Sequence, residues 1–192
     1  MKPYQKFLLL LVAVFGTVGI LIAITAPHLS NETRPSHTPS YEEVVPKDFS
    51  APLSSRIIDV RDTSELMQPR LEINKLSRDI VSASCENQHP NCVLLTLTRW
   101  VRQNIEHKDA ILQREHILSP EETIVFREGT DITMSILLIS LLRAQDFDAR
   151  LGHTPYVSFV ETQGVRIDPG CGGCLINQTR YRGPEENIVW VS

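Results

Sequence analysis

The chain has no charged residue from Phe7 to Ala26, no Lys or Arg between that run and Arg34, no internal repeat, no basic stripe, and no cysteine between Cys92 and Cys171. The first absence admits a membrane span. At about 1.5 Å per residue, a helix over FLLLLVAVFGTVGILIAITA just crosses a hydrocarbon core of about 30 Å. A cleaved signal peptide has an apolar stretch of only about 7 to 15 residues followed by small residues, and Pro27 after Ala26 is a poor neighbour for cleavage. The run is therefore expected to be an uncleaved anchor over residues 7–26. Lys2 and Lys6 precede it, so the positive-inside bias leaves residues 1–6 in the cytoplasm and the remainder outside it, as a single-pass membrane protein.

The missing basic stripe excludes nucleic acid as an expected partner, because phosphate binding needs clustered Lys and Arg. Apart from Lys2 and Lys6, 17 basic residues stand against 23 acidic ones, a formal charge of −6 beyond the span. The 166 residues after Ala26 suffice for one ordinary domain with a real core.

All four cysteines, Cys85, Cys92, Cys171 and Cys174, lie in the exported segment. An even number there favours disulfides, with three connectivities open and the local pair Cys85–Cys92 preferred. Cys171-Gly-Gly-Cys174 could exchange disulfides, but redox pairs of this kind open a helix, and this one precedes LINQTRY, which is no helix. A zinc site would need Cys85 and Cys92 as its second pair, and the gap between them exceeds the usual two to four residues. No metal or cofactor is expected. The sequons at Asn31 and Asn177 are glycosylation candidates compatible with an exterior location.

Residues 27–55 are rich in Pro, Ser and Thr without apolar periodicity and read as a flexible stalk, with a folded domain over 56–192. Helical spacing of Leu71, Ile73, Leu76, Ile80 and Val81 predicts a helix over 69–84. Val93, Leu94, Leu97, Trp100, Val101 and Ile105 predict a second over 91–106, the pair forming a hairpin that a Cys85–Cys92 bridge would clasp. After a polar link at Ser119–Thr123, ITMSILLISLLRAQ over 132–145 is apolar in nearly every direction and should be the buried central helix, with Thr130 or Asp131 capping it. Short strands follow at DARLG, YVSFVE, GVRID and NIVWV. Helices followed by strands argue for an α+β domain.

The stretch TRWVRQNIEH, SPEETI, GTDITMSILLISLLRAQDFDARLG, YVSFVE and RIDP resembles the transglutaminase-like domains, a branch of the papain-like cysteine-enzyme fold. Those domains carry a "wv…ni.y" helix end, a "p.etl" approach, a "GdC.d.a.ll..lLra.G..ar" helix, a "h.w.e" strand and an "lDp" strand, in that order. The resemblance implies a papain-like core and a Cys-His-Asp triad, in which a thiolate at a helix N-terminus is activated by a histidine that an aspartate orients. In this sequence the nucleophile position falls on Asp131, the base position on Val157, and only Asp168 matches. With neither thiol nor imidazole at those positions, the resemblance implies a pseudoenzyme whose groove binds a peptide or protein. The fold alone would suggest a thiol peptidase or protein-crosslinking amidase, and a structural envelope protein without ligand is the third reading.

Other chemistry at these positions has plain rivals. Asp131 as nucleophile lacks a phosphate loop or carboxylate partner, so helix capping is the expected role. His153 could serve as a base but has no evident nucleophile, and it reads as a surface loop residue, as do His107 and His116. Asp168 reads equally as a strand-end carboxylate bonding the next turn.

Overall fold

Residues 35–51, 59–108, 117–171 and 183–192 are described by a computed structural model of the protein. The apolar run at 7–26, both sequons, His116 and Cys174 lie outside them. Among the described residues no helix is long and apolar enough to cross a membrane.

The expected hairpin is present. Helix α2, Leu71–Ser84, buries Ile73, Leu76, Ile80 and Val81. Helix α3, Pro90–Asn104, starts with proline in its first turn and with His89 Nδ1 accepting from the Asn91 amide at 3.2 Å. A disulfide joins Cys85 to Cys92 across the turn. Helix α3 stops two residues short of the predicted end. The chain instead becomes extended at β1, Glu106–His107, which pairs in parallel with β2, Glu128–Gly129.

Two segments differ from the sequence reading. The polar link is a helix, α4, Pro120–Phe126. Ser119 Oγ accepts from the Glu122 amide at 3.2 Å while Glu122 Oε2 accepts from the Ser119 amide at 2.8 Å, a reciprocal cap that initiates a helix too short for periodicity to reveal. The second difference lies in the presumed stalk. Helix α1, Tyr41–Val44, lies within it, and Val44 and Val45 are buried in the core. The Ser36 amide donates to Ser84 O at 3.0 Å, and the Tyr41 hydroxyl donates to Ile124 O at 3.0 Å. The packed part of the chain thus begins some twenty residues before the expected boundary, because a few apolar side chains outweigh the composition around them.

Helix α5, Asp131–Arg143, is the central element, with every residue from Ile132 to Leu142 buried. It packs against α2, α3 and α4 as well as against the sheet at β3 and β4. Strands β3 (Ala149–His153), β4 (Ser158–Thr162), β5 (Val165–Ile167) and β6 (Val189–Val191) form an antiparallel sheet in the order β5-β4-β3-β6. The fold is α+β, as the order of helical and strand patterns predicted. Gln163 and Gly164 turn β4 into β5 with φ of 49° and 74°, the positive values that a two-residue mirror-image turn requires. Ala149, Leu151, Val160, Ile167 and Val191 face the core. The opposite face carries Phe159 and Trp190 in an edge-to-face pair at 5.7 Å, with the Arg150 guanidinium 4.1 Å from the Trp190 ring.

Candidate functional site

Three connections bring the singled-out positions to one end of the domain. Arg143 at the end of α5 donates to Ala149 O through Nε at 3.1 Å and Nη2 at 2.8 Å. Strand β3 therefore runs back along α5 toward Asp131. The β3–β4 hairpin, closed by Thr154 and Val157, and the end of β5 at Asp168 lie at that same end. From the other side, Arg102 Nη2 donates to Asp168 O at 2.7 Å while His107 Nε2 lies 2.7 Å from Asp131 Oδ1. Arg102 and His107 are five residues apart in sequence, at most about 17 Å of extended chain.

Asp131 opens α5 with about a fifth of its side chain exposed, and its carboxylate meets the imidazole of His107, a quarter exposed on β1. Thr130 does not cap the helix in the way expected. Thr130 occupies the cap position without a side-chain hydrogen bond to the helix, and the Asp131 carboxylate is engaged by His107. The helix dipole still favours a carboxylate in this first turn. Gly129 fixes the approach of β2 to α5: a Cβ there would come within 2.5 Å of Thr133 Oγ1.

Val157 is buried, its amide donating to Thr154 Oγ1 at 3.1 Å and its carbonyl accepting from the Thr154 amide at 3.0 Å. It is a hairpin residue with no group able to move a proton. Asp168 is completely buried. Its main-chain carbonyl also accepts from the Cys171 amide at 3.3 Å, so this bond of the turn is made by the backbone rather than by the expected carboxylate. Burial lowers the pKa of Arg102 and the neighbouring Asp168 carboxylate opposes that shift. A half-buried cation beside a buried anion offsets part of the desolvation cost of both.

Three histidine readings divide. His107 is no isolated surface residue, since it is the partner of Asp131. His153 is not in a loop: it ends β3, half-buried, with Nδ1 2.8 Å from Ser158 Oγ on the facing strand. Burial lowers its pKa, with Asp59 acting in the opposite sense. His116 lies outside the described residues. Cys85 and Cys92 are bonded to each other and cannot ligate zinc as thiolates; Cys171 is disulfide-bonded too, to a partner outside the described residues. Among the described residues no group of three His, Cys, Asp or Glu side chains could hold a metal ion.

Sequence reasoning missed His107 and Arg102. Both lie on the segment that carries the "wv…ni.y" pattern, and His107 stands at its final, aromatic position. A polar side chain there was the available signal.

No family model matches this sequence, and no curated protein matches it. Among solved structures, the chain is similar to a candidate cysteine protease from Cytophaga hutchinsonii, with 17% identity and a TM-score of 0.40 over 79% of this chain. It spans about half the length of that protein, 50%.

Proposed function

We propose that this is a membrane-displayed, transglutaminase-like domain that has lost thiol acyl transfer and binds a peptide or protein segment at the Asp131 end of α5. Residues 7–26 anchor it, residues 1–6 stay in the cytoplasm, and the domain faces outward. The observation that carries the reading is the His107–Asp131 contact. A carboxylate already engaged by an imidazole occupies the place where the resemblance puts an attacking sulfur.

Two further observations support it. The position of the catalytic base holds a buried valine, and the described cysteines are all in disulfides, which leaves no thiolate among the described residues to activate. A carboxylate–imidazole pair that remains partly open to solvent suits recognition, since it offers hydrogen-bonding groups without a nucleophile.

The test uses full-length protein in nanodiscs. It is given acyl-donor and peptide substrates after mild reduction, and separately a peptide library for capture. Capture without turnover is expected. Turnover blocked by a cysteine-directed inhibitor would restore the thiol-enzyme reading, and neither turnover nor capture would favour a structural envelope protein.

A further inference from the structure

Among the described residues, strand β1 is paired on one edge only. The Glu106 amide donates to Arg127 O at 2.8 Å and the Lys108 amide to Gly129 O at 2.9 Å, so both of these peptide groups point at β2. In a strand, successive peptide groups face opposite edges. The N–H and C=O of His107 therefore point away from β2, and neither has a hydrogen-bond partner among the described residues. An edge of this kind is a template for another strand.

The surroundings select what that strand carries. Glu106 and Glu128 are exposed, stand opposite each other across the β1–β2 pair and share one cation, Lys108, so these three side chains leave the pair beside the edge with one net negative charge. Behind it, His107 Nε2 lies 2.7 Å from Asp131 Oδ1, which holds the imidazole side of this strand against the start of α5.

We infer that an extended peptide segment bearing Lys or Arg docks along the free edge of β1 and exchanges main-chain hydrogen bonds with His107. This rests on the peptide-binding reading above and adds its mode, register and charge preference. The acidic pair Glu106 and Glu128 supplies the preference for a basic side chain, and the His107 peptide group supplies the register.

The experiment takes full-length protein in nanodiscs and a positional-scanning library of acetylated five-residue peptides. Selected peptides should carry Lys or Arg. Methylating the single backbone nitrogen that faces His107 should weaken binding about tenfold or more, the loss of one hydrogen bond with its partner left unmet. The same methyl group one residue further on should have little effect, which gives a period of two. Glu106→Lys combined with Glu128→Lys, both at exposed positions, should turn the preference to acidic peptides. Binding that is insensitive to backbone methylation, or uniformly sensitive to it, would overturn strand addition and leave peptide binding standing. Selection of no peptide would overturn the underlying reading itself.

Discussion

Tyr41 lies stacked on Trp100, ring centroids 6.4 Å apart and planes 14° from parallel. The contact joins the segment before the domain's expected start to helix α3. The Arg127 guanidinium lies over the tyrosine ring at 4.3 Å and pairs with Glu42 at 3.0 Å. Tyr41→Ala removes a ring from a buried tryptophan and a hydroxyl from Ile124 O, and should cost about 1–3 kcal/mol. Urea unfolding of the variant checks this. An unchanged midpoint would return the segment to the role of a free stalk.

The elements most legible in the sequence were the ones with long apolar patterns. Helices α2, α3 and α5 follow directly from their spacing, and the four strands of the sheet from short β-rich runs. Helices α1 and α4 were not legible because four and seven residues are too few for a period to emerge. Ser119 and Glu122 nevertheless had the spacing of a capping box. At the site, the order of motifs along the chain singled out Asp131, Val157 and Asp168, whereas the partners of two of them could not be read from it. His107 and Arg102 reach Asp131 and Asp168 across gaps of 24 and 66 residues, and no local pattern encodes such pairing.

His153 makes stability depend on pH in a defined direction. Burial holds its folded pKa below the unfolded value of about 6.5, so the unfolded state binds the proton first as pH falls. Its contribution is complete above about pH 6.5 and is lost as pH drops through the folded value. Denaturation midpoints from pH 8 to 5 should decline in the wild type and decline less in His153→Gln. Parallel curves would mean that another group is responsible.

The Cys85–Cys92 bridge closes a short loop between two helices, with a sequence separation of 7. Cys85→Ser with Cys92→Ser should therefore lose roughly 2 kcal/mol, the chain-entropy value for so small a loop. Thermal unfolding of the double variant gives the answer. A loss near zero would show that the hairpin is held by helix packing alone.

Gly129→Ala should also be costly, since its Cβ would meet Thr133 Oγ1 at 2.5 Å and Met134 Cγ at 3.1 Å. Displacing the first turn of α5 should cost about 1–3 kcal/mol. It should also weaken the His107–Asp131 contact, which the imidazole resonances of His107 report. A variant as stable as the wild type, with those resonances unmoved, would show that β2 adjusts without disturbing α5.

The central claim is that Asp131 stands where a nucleophile would stand, with an imidazole already beside it. Asp131→Cys tests it most directly. In the full-length protein, with its disulfides intact, the new thiol at the start of α5 and next to His107 should react with iodoacetamide at pH 6.5 about tenfold faster than an exposed cysteine. Adding His107→Gln should return most of that excess. A thiol at position 131 that reacts at the ordinary rate, or regardless of His107, would contradict the account.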